Sequence, residues 1–585
     1  MKILLFLFPL LLNALNLDLL SKEPTWLTLL HYKDNKSSIV TKEFFLNPKG
    51  DRNAKEELNA TLEAYYLPFI DETHARCKYP ARYLWLSTKI NLPDYKAIDN
   101  KCVTLKEWKI LEDVKSISAV FVSGYLGNPA SAFGHSFITV DKNSGNKLLN
   151  HNISFGADLP DKYDIFSYIY NGVIGGYKGL YTDKYYYLDD LVYSQRSLRE
   201  MWQYEMNLTK YEQKLILFHF WELLGQKFAY YFFNRNCGYR VSELLELVHK
   251  EPILGKERIW YAPAETFHKL NEFNQKSKVF NNVNYLPSKQ QLIYDKYHYL
   301  DFEDKEKVLQ IFSNDFQGLE NAKNLNMSIE TLDMLLEYIE YLNTKKNFKQ
   351  NKNLQNLYRR LLQKRIVLPA SLVSDKKVSL KQSVTQSSKT SFMGLGGNTN
   401  RGLEFKYAPF VMDSVDYNTL DGDILSVLDG TLFVKEGKFT LKALNILKIR
   451  RLNINNLPVD TQDSYSWGMH IGSTKHKQRD YFLDVSIGKS WKLKDNMKLY
   501  ALLHGSWHSH NHKYRLAPSV GLFMNLDTLK VDMIYKKENI YEAKDFKDQF
   551  SLQAQKYLHN DSALYLEVKR EEDINSLHFG YKWYF

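Results

Sequence analysis

The hydrophobic period of this chain changes near residue 376. Beyond it apolar side chains recur at every second position, as in Tyr465-x-Trp467-x-Met469-x-Ile471, Tyr481-x-Leu483-x-Val485-x-Ile487 and Leu529-x-Val531-x-Met533-x-Tyr535. The last run, Leu577-x-Phe579-x-Tyr581-x-Trp583-x-Phe585, closes on an aromatic residue. Period-two alternation predicts strands with one apolar and one polar face. Roughly a dozen such segments of about ten residues, separated by polar turns, predict an antiparallel outer-membrane barrel over 376–585. A soluble β-sandwich or lipocalin-like barrel alternates in the same way. The terminal Phe585, which resembles the sorting signal of outer-membrane barrels, and the leader described next favour the membrane barrel.

Upstream the pattern is mixed. Met1-Lys2 followed by apolar Ile3 to Leu12 predicts a secretory signal over 1–16. The apolar run is too short to span a bilayer as a helix. No cysteine follows it, so no lipoprotein anchor is expected. Helical spacing at Trp26, Leu29 and Leu30 and again over Glu56 to Tyr66 predicts a small helical module over 20–110. Strands follow at Ile117 to Val122, His135 to Val140 and Lys147 to Phe155. Tyr163 to Tyr187, rich in glycine and tyrosine, reads as an irregular loop covering a site. Thr209 and Glu212 form a capping box ahead of an apolar-periodic helix. This α+β segment occupies 111–255. Residues 256–372 read as a helical connector, with Ile329, Leu332, Leu335, Leu336 and Ile339 on one face and a polar stretch at Lys345 to Gln355.

At 585 residues the chain is too long for one ordinary domain. The formal charge of +11 is spread among acids, with no dense basic block, so a nucleic-acid partner is not expected. Such a surface suits anionic lipid head groups or simply reflects a lysine-rich proteome, so charge does not decide the partner. The three cysteines are Cys77, Cys102 and Cys237. In an oxidising compartment Cys77 and Cys102 can form a disulfide that leaves Cys237 as a thiol.

Cys237 lies in Phe232-Phe-Asn-Arg-Asn-Cys-Gly-Tyr239, just ahead of Val241, Leu244, Leu245 and Val248. That spacing is helical, so the thiol is expected at a helix N-terminus, where the dipole favours a thiolate. His135 enters a strand about a hundred residues earlier. Together they are the parts of a thiol nucleophile and its base; the plain alternative is a buried structural cysteine and a strand-end histidine. For a third group that orients His135, alternation sets Asn150 and Asn152 on one face and His151 on the other, and Asn152 is the choice. Ser131, Ser136, Asn236, Tyr239 and Tyr177 are the substrate-binding candidates. Glu222 is expected to pair with Arg235 or Arg240, and His219 to pack within its helix. His504, His508, His510 and His512 have a metal-like spacing, but no carboxylate or cysteine joins them at ligand spacing, so a polar loop or lumen face is expected. No metal or cofactor is expected.

Five segments resemble a known family in their order along the chain. They are Cys77-Lys-Tyr-Pro-Ala-Arg82-Tyr, Asn128-Pro-Ala-Ser-Ala-Phe-Gly-His135-Ser-Phe, Gly175-Gly-Tyr-Lys-Gly179, His219-Phe-Trp-Glu222 and Tyr230-Tyr-Phe-Phe-Asn-Arg-Asn-Cys237. Together they resemble the Lnb N-terminal periplasmic domain family over about 20 to 250. The resemblance implies a circularly permuted papain-like fold, in which the histidine strand precedes the cysteine helix. In the family's characterised branch the activity is acyl transfer within bacterial lipoproteins, from the lipid anchor to the N-terminal amine. This chain departs from that branch by lacking obvious helical membrane spans and by carrying a barrel. The expectation is a multidomain protein: a permuted papain-like α+β domain, a helical connector and an antiparallel barrel in the outer membrane. It would act from the periplasmic side on a membrane lipid or lipoprotein ester through a Cys237 thioester. A cell-wall peptide amidase and a non-catalytic binding or channel protein are the alternatives.

Overall fold

A computed structural model describes residues 17–94, 101–124, 126, 132–160, 164–255, 260–312, 327–344, 352–369, 381–399, 402–417, 422–454, 465–475, 478–510, 513–540, 545–571 and 574–585. The signal segment 1–16, Ser131 and His512 lie outside them. Two compact units divide the chain. The first comprises 1–122, 133–190 and 202–284, and the second 123–132, 191–201 and 285–585.

The first unit is built on strands β1 (Val114–Val122), β2 (His135–Lys142), β3 (His151–Asp158), β4 (Tyr177–Tyr185), β5 (Met201–Met206), β6 (Phe228–Tyr230) and β7 (Phe280–Leu286). They lie side by side in the order β6-β4-β3-β2-β1-β5-β7. β1 through β4 pair antiparallel in succession. β1 is buried from Ser116 to Val122, so its β-branched run has no solvent face. Around the sheet stand α1 (Pro24–Leu29), α2 (Ala54–Tyr65), α3 (Pro80–Leu86), α4 (Ile165–Ile174), α5 (Lys210–Leu223), α6 (Cys237–Glu246) and α7 (Pro263–Asn274). The Thr209 capping box forms: Glu212 Oε2 accepts from the Thr209 N–H at 2.7 Å and Thr209 Oγ1 from the Glu212 N–H at 3.3 Å.

One sequence expectation changes here. The segment 163–187 is not an irregular loop, because its described part forms α4 and β4. Its glycines serve close packing: a Cβ on Gly172 would lie 2.2 Å from the Phe232 ring, and one on Gly179 would lie 2.3 Å from Phe155. The 20–110 segment is fastened to this sheet. Its Ile39 bridges Phe228 of β6, its Val40 N–H donates to Lys227 O, and its Cys77 carbonyl accepts from Trp221 Nε1. α7 and most of β7 belong to the same compact unit.

Cys77 and Cys102 are disulfide-bonded, with Cα atoms 5.4 Å apart, and pack among Phe69, Trp108, Phe218 and Trp221. The bond closes a loop of sequence separation 25. Its reduction is expected to cost this unit about 3 kcal/mol through the restored freedom of the unfolded chain. Tryptophan-fluorescence melts of the full chain with and without reductant measure this.

In the second unit α8 (Lys289–Tyr299), α9 (Phe302–Phe312), α10 (Ile329–Thr344) and α11 (Lys352–Ile366) share one core. Leu332, Leu335, Leu336 and Ile339, the stripe read from the sequence, pack there with Ile293, Val308, Leu357 and Leu361. The barrel follows. Its first strand, Phe392–Asn398, pairs with both Leu403–Ala408 and the last strand, Ile574–Tyr584, and Leu403–Ala408 pairs on to Ile424–Lys435. Phe410–Met412 only extends that second strand, so twelve strands close the ring.

The barrel is inside out relative to a soluble one. Tyr481, Leu483, Val485 and Ile487 are exposed along one strand, and Phe579, Tyr581 and Trp583 along another. The alternate positions point into a charged lumen, where Lys406 meets Glu567, Arg515 meets Glu538 and His578 meets Glu404. His504 and His508 pair there with Asp484 and Asp480. A closed antiparallel ring with an apolar exterior and polar interior is a membrane-spanning barrel. Segment 413–417 folds into the lumen. Ser414, Arg450 and Tyr500 converge on Asp532, and Tyr584 donates to Asp416. Tyr294 of α8 meets Lys492 beside the 494–497 turn, at the barrel end where the first strand begins and the last one finishes.

Candidate active site

Cys237 is the first residue of α6, and Asn236 is its cap. Asn236 Oδ1 accepts from the N–H groups of Gly238 at 3.0 Å and Tyr239 at 3.3 Å. Its Nδ2 donates to the carbonyls of Tyr261 at 2.7 Å and Phe232 at 3.1 Å. Every polar position of this side chain is thus engaged in holding the turn, so Asn236 positions Cys237 and has no remaining capacity for substrate. The thiol is buried and outside any disulfide.

α6 packs against β2 and β3. Its position along β2 follows from a chain of contacts. A Cβ on Gly238 would strike Pro263, the first residue of α7, at 2.5 Å. One turn on, Phe267 of α7 meets Phe121 with ring centroids 5.4 Å apart. Phe121 in turn pairs with Ser136. The N-terminus of α6 therefore sits over the end of β2 at which His135 enters.

Alternation sorts the rest. Arg240 of α6 lies over Phe155 and Phe228, and its carbonyl accepts from Tyr181 Oη. Register places Ser136, Ile138 and Val140 on that helix-covered face, and His135, Phe137 and Thr139 on the other. The half-buried His135 can thus reach α6 only around the end of the sheet, at the first residue of its strand. Ser136 is fully buried beneath the helix layer, and its Oγ has no hydrogen-bond partner among the described residues.

Asn152 does not join His135. It stands opposite Thr139, four positions along β2 from His135, or about 13 Å of strand. Its amide accepts from Thr139 Oγ1 at 2.8 Å and donates to Asp189 at 2.9 Å. Burial pushes the Asp189 carboxyl up. Tyr177 and Tyr239 are buried aromatic packing, Tyr177 beside Tyr168 and Tyr239 edge-on to Tyr261. His151 bonds Asp183 on the opposite face from Asn152, as alternation requires.

Glu222 pairs differently from the sequence expectation. Its Oε1 accepts from the N–H groups of Ala81 and Arg82, and its Oε2 from His219 Nδ1. Arg240 pairs instead with Glu243. Sequence reasoning missed this network because its members are spread from residue 31 to residue 243. The one local signal was a histidine three residues before a glutamate on an otherwise apolar helix.

These features define a class: an outer-membrane barrel that carries a periplasmic α/β domain with a helix-terminal thiol. The periplasmic part has a named relative. Residues 104–272 match the Lnb N-terminal periplasmic domain. Residues 18–89 and 415–584 match two domains of unknown function, DUF7843 and DUF7840. No curated protein matches the chain. Among solved structures, the KdgM porin in complex with disordered oligogalacturonate is 8% identical, with a TM-score of 0.23 over 34% of this chain and 99% of its own. The Acinetobacter baumannii outer membrane protein Omp33 is 8% identical, with a TM-score of 0.22 over 34% of this chain and 100% of its own.

Proposed function

We propose that this protein is a thiol enzyme acting from the periplasmic side on the ester of a lipid or lipoprotein. The observation that supports the reading is Cys237 at the first position of an Asn-capped helix that packs against β2, the strand that His135 begins. We read the first unit as a circularly permuted papain-like arrangement, in which the histidine strand precedes the cysteine helix and spatial roles are kept. His135 takes the Cys237 proton, and the thiolate attacks the ester carbonyl. The ester C–O bond breaks, His135 returns the proton to the departing alcohol, and the acyl group stays on sulfur as a thioester. An amine or water then takes the acyl group and regenerates the thiol. Asn236 occupies the Gly238 and Tyr239 N–H groups, so the Cys237 N–H is the helix-terminal donor for the oxyanion.

One surface favours a lipid over a cell-wall peptide. α4 is fastened to the loop before Cys237: the Phe232 N–H donates to Gly172 O at 2.8 Å, and Tyr168 meets the Phe232 ring at 5.0 Å. Away from that contact α4 exposes Ile169, Tyr170, Val173 and Ile174. An apolar helix face in water beside a nucleophile suits acyl chains. The variant Tyr170→Glu with Ile174→Glu is expected to lower turnover of a diacyl phospholipid about tenfold, the loss of roughly 60 Å² of apolar contact. Hydrolysis of a short-chain soluble ester should be unchanged, and the ratio of the two rates is the measurement.

The direct test is intact-mass spectrometry of the detergent-purified full chain with phospholipid or a diacylated lipoprotein. A hydroxylamine-sensitive acyl adduct with release of lyso-product supports the reading. No adduct and no lyso-product with any ester donor would overturn it.

A further inference from the structure

Beneath α6 lies a buried chain of ionisable groups that the proposed chemistry does not use. Arg82 Nη1 bonds Glu57 at 2.7 Å, and the backbone N–H of Arg82 bonds Glu222. Glu222 bonds His219 Nδ1 at 3.0 Å, and His219 Nε2 faces His31 Nε2 at 3.0 Å. His31 Nδ1 bonds Glu243 at 3.0 Å, and Glu243 bonds Arg240 at 2.5 Å. All these side chains are essentially excluded from water.

The hydrogen-bond pattern fixes the protons. Each Nδ1 faces a carboxylate, which only accepts, so both Nδ1 atoms carry hydrogen. Two facing Nε2 atoms at 3.0 Å can bond only if one of them carries hydrogen and the other does not. Three protons therefore sit on four ring nitrogens, and the pair bears one positive charge. Glu57, Glu222 and Glu243 contribute three negative charges, and Arg82 and Arg240 two positive ones. The sum is zero, the condition under which such a chain can be buried.

We infer that His31 and His219 share a single proton, and that this proton completes a neutral buried chain which positions α6, and with it Cys237, against the N-terminal segment. His31, Glu57 and Arg82 come from that segment, Glu222 and His219 from α5, and Glu243 and Arg240 from α6. His31 is held in the left-handed backbone region, with φ at 52°, an uncommon conformation for a residue with a side chain. It is wedged between the His219 ring, stacked at 5.2 Å, and the edge of Phe228. Burial drives the His31 imidazolium down to about 4 despite the adjoining Glu243, in keeping with His31 as the neutral member of the pair. Burial also works against the Glu243 carboxylate, yet Arg240 and His31 hold it down at about 2.

The test is nitrogen NMR of the full chain labelled with ¹⁵N-histidine at pH 7.5. Signals are assigned from the spectra of His31→Gln and His219→Gln. The wild type should show one ring protonated at both nitrogens, His219, and one neutral ring protonated at Nδ1, His31. Two neutral rings or two imidazolium rings would overturn the inference, and this arm needs no variant to be active. In Glu222→Gln the amide can donate to His219 Nδ1, so the pair should release its extra proton and show two neutral rings. An imidazolium that persists there would also overturn it. The positioning role is read from the rate at which iodoacetamide alkylates Cys237. His31→Gln should change it about tenfold, the scale expected when a nucleophile is displaced by a fraction of an ångström. An unchanged rate in a folded variant would reduce the chain to a stability element.

Discussion

Cys237→Ala is expected to abolish acyl-adduct formation and to lower turnover by at least about a thousandfold, some 4 kcal/mol of barrier, while leaving the fold intact. The two halves of this expectation have separate causes. The catalytic loss follows from the place of the thiol. Cys237 begins an Asn-capped helix, so the dipole favours the thiolate, and no second cysteine can substitute because Cys77 and Cys102 are bonded to each other. The small structural cost follows from size. Alanine removes one buried atom, worth about 1 kcal/mol, and the cap is made by Asn236 and the backbone, which the substitution leaves in place. Cys237→Ser should behave alike in turnover, since a hydroxyl there is a far weaker nucleophile than a thiolate. Steady-state rates on a lipid ester, with melting curves of the same samples, measure both halves. A variant that kept wild-type turnover would return Cys237 to the role of a buried structural residue.

The second large effect is on stability. Arg82→Met is expected to destabilise the first unit by about 3–5 kcal/mol, because it strands a buried carboxylate. Glu57 and Arg82 both have fully buried side chains and meet at 2.7 Å. Glu57 also accepts from the N–H groups of Leu46 and Asn47, so it cannot turn away to find water. Arg82 is held in place by Phe44 O and by the faces of Phe44 and Tyr79. Arg82→Lys should lose less, since it retains the charge but not the second hydrogen bond. Adding Glu57→Gln to Arg82→Met should recover part of the loss, because it removes the unpaired charge. Denaturant unfolding followed through Trp26 and Trp85, stacked 5.8 Å apart in this segment, reads the effect locally. If Arg82→Met unfolded at the wild-type midpoint, the pair would carry no net stabilisation.

Much of this architecture is legible in local patterns. The alternation at Tyr481 to Ile487 and at Leu577 to Phe585 specifies strands with an apolar outer face, and the ring closes with that face outward. The capping box at Thr209 and the apolar spacing after Cys237 specify helix starts, and both helices begin there. Such features depend on residues within one or two turns of each other, and backbone geometry sets their periods. The segment 163–187 reads as an irregular loop in sequence because glycine and tyrosine dominate it. In the fold its glycines let helix and strand approach aromatic rings closely, and the partners, Phe155 and Phe232, are remote or on another element.

What the chain alone determines is therefore its set of elements and the residue types capable of chemistry: a thiol at a helix start, a histidine at a strand start, and a barrel that must face lipid. Only the tertiary structure decides which side chains meet. It places α6 over the His135 end of β2 and directs Asn152 to Thr139 and Asp189 instead of to His135. It also gathers Glu57, Arg82, His31, His219, Glu222 and Glu243 into one neutral chain. The reason is physical. Helical and strand periods are encoded by neighbours, whereas burying a charge requires compensation from whatever residues the packed elements bring within hydrogen-bond reach, at any separation along the sequence.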